Sequence, residues 1–276
     1  MKNLLTTGCA CTLALLCVSC GPSGGSGKNP PAESKEALFQ RGHQLYLSGH
    51  MTEAEADLKA ASAIDSTYVD PLTDLAQMAY EAGMREEGER NPRRLSDWRS
   101  ARELYQRAEK LGYHDAAAYD RICEISLALE DDKAFLVYAK KNAERYPYDR
   151  QYYNLGVAYY AVEDWNNVVK SQREAAERFT QSPYLGAFYR QTGRAYMKLD
   201  RDQTAERTLA SGVHAVDARL AALKKNGASS NANELRRLTD DKIAMLLLLK
   251  RLHTTYKETD KLEQVERQLK DAGYAK

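Results

Sequence analysis

Tyr152-Tyr153-Asn154-Leu155-Gly156-Val157-Ala158-Tyr159 sets a glycine between two bulky residues, one four positions before it and one three positions after. Tyr189-Arg190-Gln191-Thr192-Gly193-Arg194-Ala195-Tyr196 repeats the arrangement, and so does Leu38-Phe39-Gln40-Arg41-Gly42-His43-Gln44-Leu45. Residues three and four apart share one face of an α-helix, so each stretch predicts a helix whose buried face carries two large side chains with a gap between them. Such a gap lets a second helix approach closely. That second helix is legible downstream: Ala54, Leu58 and Ala61 follow Gly42, Trp165, Val168 and Ala175 follow Gly156, and Ala205, Leu209 and Gly212 follow Gly193.

Weaker copies fill the interval. Ala76 follows Gly42, and Gly156 follows Ile122, by about 34 residues, a period of stacked helical hairpins. The step from Ala76 to Ile122 exceeds that period by about 12 residues. The surplus falls on Arg85 to Arg94, a charged run containing Gly88 and Pro92. It reads as an insertion in the turn of the second repeat, with limits at 85–96, before Trp98, Ala101, Tyr105 and Ala108 restore the pattern.

This succession of bulky, small, aromatic, then alanine, bulky and alanine positions resembles the tetratricopeptide repeat (TPR). The resemblance implies an all-α fold, a right-handed solenoid of antiparallel helix pairs, with about five repeats over residues 36–217. Period-two alternation is absent, so no sheet is expected. Helix starts are expected at the capping box Thr52-Glu53-Ala54-Glu55, at Asp70-Pro71 and Ser182-Pro183, and near Asp260-Lys261-Leu262-Glu263. Past Asp217 the pattern loosens. A helix to Lys225, a loop over 226–233, a long helix from Glu234 to Lys257 with the apolar run Ile243 to Leu249, and a last helix over Lys261 to Ala272 make residues 218–276 a C-terminal helical cap, or else a partner or dimer surface.

In TPR proteins the first helix of each pair lines a concave wall. Carrying those positions over gives Phe39, His43 and Tyr46 from the first repeat and Gln77 and Tyr80 from the second. Repeats three to five supply Tyr119, Cys123, Tyr153, Val157, Tyr160, Arg190, Arg194 and Lys198, with Arg150 near the rim. An aromatic wall turning basic suits an extended peptide or helix with apolar anchors and a carboxylate; inter-repeat packing is the other role open to each tyrosine. The family's carboxylate clamp needs lysine and asparagine on one repeat, asparagine on the next, and lysine and arginine on the third. Only Asn154 fits, so that mode is not expected.

The front of the chain has its own logic. Lys2 precedes an uncharged apolar segment, Leu4 to Val18, that is too short to span a bilayer, the order of an export signal. Cys17-Val18-Ser19-Cys20-Gly21 resembles the lipobox of bacterial lipoproteins, with Cys17 where leucine is usual. The resemblance implies a signal peptide over 1–19 and diacylglyceryl and acyl groups on Cys20, enough chains for stable anchoring. Residues 20–35, rich in Gly, Ser and Pro, then read as a flexible tether. Gly21 is not the aspartate that commonly retains such proteins at the inner membrane, so the expected location is the bacterial envelope, on the outer membrane facing the periplasm.

Charge is balanced, 40 lysines and arginines against 39 aspartates and glutamates, which gives no reason to expect nucleic acid as a partner. Past Cys20 the only cysteine is Cys123, so no intramolecular disulfide is available and stability must come from packing. Tyrosines outnumber phenylalanines 18 to 4, suiting half-buried surfaces where the ring packs and the hydroxyl stays wet. His43, His50, His114, His214 and His253 show no metal-ligand spacing, and no phosphate loop is present, so neither catalysis, metal nor cofactor is expected. The expectation is a lipid-anchored envelope scaffold that binds a protein or peptide partner, in outer-membrane or envelope complex assembly. The alternative is a structural or regulatory adaptor of a peptidoglycan enzyme working through the 85–96 insertion or the C-terminal helices. The sequence leaves the oligomeric state open.

Overall fold

The computed structural model describes residues 33–225 and 231–274. The proposed leader, Cys20 and nearly all of the tether therefore lie outside the described residues. Among the described residues there are twelve α-helices and no strand. They run α1 (Lys35–Leu47), α2 (Met51–Ile64), α3 (Val69–Arg85), α4 (Pro92–Lys110), α5 (Ala116–Ala128), α6 (Asp132–Arg145), α7 (Asp149–Ala161), α8 (Trp165–Arg178), α9 (Leu185–Lys198), α10 (Asp202–Lys225), α11 (Ala232–Thr255) and α12 (Thr259–Asp271). Each odd helix packs on the even helix that follows, and each even helix on the next odd one, which is the connectivity of a solenoid of hairpins.

Five of the six hairpins close with one turn. Gly49, Glu130, Glu163, Asp200 and Lys257 all sit at positive φ, between 56° and 83°. The next residue's amide reaches back to the helix: His50 to Leu45 O, Asp131 to Ser126 O, Asp164 to Tyr159 O, Arg201 to Tyr196 O and Glu258 to His253 O, at 2.8–2.9 Å. This left-handed closure satisfies carbonyls the helix end would otherwise leave unpaired. It also gives a register that owes nothing to side chains. In that register Gly42, Cys123, Gly156, Gly193 and Lys250 are equivalent positions.

The small residues do what the sequence suggested. A Cβ at Gly193 would stand 2.5 Å from Leu209 Cδ2, and one at Gly42 3.0 Å from Leu58 Cγ. At Gly156 it would overlap the side-chain amides of Gln172 and Gln191.

The second hairpin departs from the rest. α3 has 17 residues and α4 has 19, against 13 and 14 in α7 and α8. The surplus expected as an insertion at 85–96 is half helix: residues 86–91 alone connect the two, and Pro92 to Ser96 open α4. Asn91 caps α4 by accepting from Arg93 N, with proline at the first helical position. Several helices start up to two residues before the expected caps allow. α2 begins at Met51 behind His50, α3 at Val69 behind Tyr68 and α12 at Thr259 behind Glu258, none with a side-chain cap. Side-chain caps occur instead at Ser34, Asp115, Asp131 and Asp164. Ser182 turns the chain into α9 by accepting from Tyr184 N while donating to Asp149 at 2.6 Å.

α10 runs past residue 217 to Lys225, and α11 with α12 forms a sixth hairpin carrying the same turn at Lys257. α11 packs on both α10 and α9, as an added repeat does. Its apolar run is divided between sides: Met245, Leu246 and Leu249 are buried against α9, α10 and α12 residues, while Leu247 stays 36% exposed.

Candidate functional site

The odd helices lie side by side, and a ladder of polar bridges joins each to the next. Between α1 and α3, His43 Nδ1 lies 2.7 Å from Asp74 and the Tyr46 hydroxyl donates to Glu81 at 2.8 Å. Between α3 and α5, Tyr80 donates to Glu124 at 2.6 Å. Asp120 on α5 accepts from Asn154 at 3.2 Å and pairs with Arg150 at 3.3 Å, both on α7. Arg194 on α9 donates to the Tyr160 hydroxyl at 2.7 Å, and Arg190 pairs with Asp241 on α11 at 2.9 Å. The candidate wall is therefore continuous over six helices, one more than expected.

Within it, most of the expected side chains are half-buried and engaged. Phe39 packs edge-on to Tyr68 and beside His43, Gln77 donates to Glu81, and Tyr153 stacks on Tyr184 at 4.8 Å. Tyr160 holds Arg194 over its ring at 4.5 Å, and Lys198 sits over Trp165 at 5.6 Å. Val157 is partly buried against the apolar cluster around Tyr119.

Two expected residues do not line the wall. Tyr119 is 3% and Cys123 2% exposed, both in a core cluster with Tyr105, Phe135 and Tyr138. The turn register supplies the reason. Cys123 occupies the glycine position and Tyr119 the bulky position before it, so the wall positions of this repeat are Asp120 and Glu124. Burial pushes the Tyr119 hydroxyl up to about 12 and the Cys123 thiol further above its ordinary value, leaving a neutral thiol rather than a nucleophile.

The structure also adds residues that motif reading missed. A cleft of about 790 Å³ opens between α7, α9 and α11, with Arg150, Tyr153, Arg190, Arg236, Arg237 and Asp241 among its lining. Arg237 stacks over Tyr184 at 4.5 Å. Next to it, about 460 Å³ is enclosed by Tyr160, Arg194, Lys198, Leu248 and Arg251. Burial raises the Asp241 carboxyl, with Arg190 and then Arg237 opposing; burial likewise raises Asp120 against Arg150. α11 was illegible as a wall helix because Lys250 stands where the motif wants a small residue.

Two further features lie off the wall. A groove of about 760 Å³ between α2 and α4 is floored by Leu72, Leu75, Met78, Ala79 and Ala82 of α3. At the turn of the sixth hairpin, ligand atoms of Glu206, His253 and Glu258 lie within 4.8 Å of one another, a juxtaposition hidden from local spacing because Glu206 is on α10. The Lys261 ammonium already bonds Glu206 at 2.7 Å and Glu258 at 2.9 Å, so a lysine stands where a cation would.

The fold so defined is the TPR solenoid. Among solved structures, that of YrrB, a TPR protein with an unusual peptide-binding site, superposes with a TM-score of 0.51 over 69% of this chain and 90% of its own, at 14% identity. A crystal structure of MamA gives a TM-score of 0.50 over 66% of this chain and 92% of its own, at 15% identity. At that identity the likeness is one of fold. No family model matches the sequence, and no curated protein matches it.

Proposed function

We propose that the chain is a non-enzymatic scaffold whose odd-helix wall captures an extended segment of a protein partner, and that Cys20 tethers it by lipid to the bacterial envelope, on the outer membrane facing the periplasm. The observation that carries the binding role is the bridged wall ending in the adjoining clefts of about 790 and 460 Å³, where Arg237 is held over the Tyr184 ring and Arg194 over that of Tyr160. Arginine and tyrosine are among the residues that most often anchor interfaces once a partner covers them. YrrB, with the same fold, has a peptide-binding site. The anchor is supported by the lipobox-like Cys17-Val18-Ser19-Cys20-Gly21 alone. Assembly of outer-membrane or other envelope complexes is the role such a tethered wall suits.

The groove between α2 and α4 favours a second reading, in which an adaptor of a peptidoglycan enzyme makes contact beside the 85–96 segment, since Arg85 and Asp97 border that groove.

Crosslinking and mass spectrometry of the full chain in its native envelope test both. Arg194→Glu with Arg236→Glu is expected to remove the crosslinked partner, whereas Ala82→Glu, which blocks the other groove, is expected to leave it. The opposite pattern rejects the wall. Arg190 is the poorer choice for reversal, because a glutamate there would face Asp241. Replacing Cys20 by serine is expected to release the chain from the membrane fraction; retention rejects the anchor.

A further inference from the structure

Resting on that reading, we infer that the wall is bipolar and selects a partner segment carrying a basic block and an acidic block in separate places, rather than an acidic tail. The two ends of the wall hold charges of opposite sign, and neither end neutralises itself.

At the early end the carboxylates are Asp74, Glu81 and Glu124. Glu81 accepts from the Tyr46 hydroxyl and the Gln77 amide, and Glu124 from the Tyr80 hydroxyl. These donors are neutral, so the negative charge is fixed in place without being cancelled. His43 faces Asp74, and Arg121, over the Tyr80 and Tyr105 rings, is the guanidinium among them.

The late end mirrors this. Arg194 rests on Tyr160, Lys198 on Trp165 and Arg237 on Tyr184, all neutral partners. Arg236 and Arg251 border the two clefts, and no ion pair among the described residues includes either. Asp240, Asp241 and Asp202 are the carboxylates there; Asp241 is taken by Arg190 and Asp202 accepts from the Tyr256 hydroxyl, so three carboxylates face the six cations Arg190, Arg194, Lys198, Arg236, Arg237 and Arg251. Asp120 with Arg150 forms the near-neutral middle.

Spacing makes the two ends independent. Neighbouring wall helices stand about 10 Å apart, so the centre between α3 and α5 lies roughly 30 Å from that between α9 and α11. This is well beyond the ~8 Å screening length at physiological salt. An extended chain covers it in about nine residues. Each block must therefore find its own end, and a chain with mixed charges cannot satisfy either.

The test uses the full chain and three fluorescent peptides of equal length. The first has a lysine block and a glutamate block with about five residues between them; the second has the same composition with charges alternating; the third is polyglutamate. The block peptide is expected to bind at least tenfold more tightly than the alternating one. Arg236→Glu with Arg237→Glu and, separately, Glu124→Lys are each expected to weaken it, while Glu124→Lys tightens polyglutamate. These side chains are exposed, and circular dichroism checks that the variants stay helical. Equal binding of block and alternating peptides, polyglutamate binding as tightly as the block peptide, or no binding of any peptide overturns the inference. If it fails but the double reversal still removes all peptide binding, the wall remains the binding surface. If binding survives the double reversal, that reading fails too.

Discussion

The hairpins α3–α4 and α7–α8 are one unit closed in two ways. In α7–α8 the helices are short, Gly156 brings them together, and the left-handed Glu163 ends the first helix. In α3–α4 both helices are longer and the turn is replaced by residues 86–91. Close approach moves two turns along, to Gly83, where a Cβ would overlap the Trp98 indole. Trp98 is 2% exposed, donates to Tyr80 O at 3.1 Å, stacks on Tyr80 and carries Arg94 over its ring at 4.3 Å. One aromatic plug thus does the work that the turn does elsewhere, and it does so directly behind the acidic end of the wall.

Removing the plug is the strongest way to break the comparison. Trp98→Ala is expected to cost about 3–5 kcal/mol. Because each hairpin touches only its neighbours, hydrogen exchange should accelerate over α1 to α6 and remain slow over α9 to α12. Uniform acceleration along the chain would mean the hairpins are not separable units. Gly156→Ala and Gly83→Ala come next, each expected to cost about 1–3 kcal/mol by overpacking, read as a lower urea midpoint. Gly83→Ala should be the one rescued by Trp98→Phe, since the smaller ring makes room; rescue of Gly156→Ala by that change would contradict the contacts described.

How far the sequence can be read follows from these two hairpins. Gly42, Gly156 and Gly193 are visible because close packing leaves a gap that almost no other residue fits. Cys123 and Lys250 take the same position without the gap, so repeat three reads one residue out of register and the sixth hairpin reads as a cap. That slip exchanges Tyr119 for Asp120, the Arg150-paired carboxylate of the middle, and Cys123 for Glu124, the last carboxylate of the early end. The segment 85–96 reads as an insertion in the turn because Gly88 and Asn91-Pro92 punctuate it and it lacks apolar periodicity; the structure keeps half of it helical, Arg85 ending α3 and Pro92 to Ser96 opening α4. Thr52, Asp70 and Asp260 look like caps, yet their helices start earlier, where the left-handed turns at Gly49 and Lys257, or a bend in which Asp65 accepts from Thr67 N, have already positioned the chain. Arg236, Arg237 and Arg251 cannot be found by motif at all, since they reach the wall only through the packing of α11 on α9.

The finest test concerns the turn itself. Glu163 adopts φ 58°, a conformation that costs a side-chain-bearing residue about 1 kcal/mol or more. Glycine removes that strain but loses more freedom on folding, so Glu163→Gly is expected to stabilise by only about 0.5 kcal/mol. In the other hairpin Gly88 sits at φ 88° with open space around it, so Gly88→Ala carries the backbone strain without any clash and is expected to destabilise by about 1 kcal/mol. Thermal melts of the two variants should therefore move in opposite directions. Were Gly88→Ala neutral, the 86–91 connection would not be holding the left-handed residue that lets α4 fold back on α3, and the plug alone would set that hairpin's geometry.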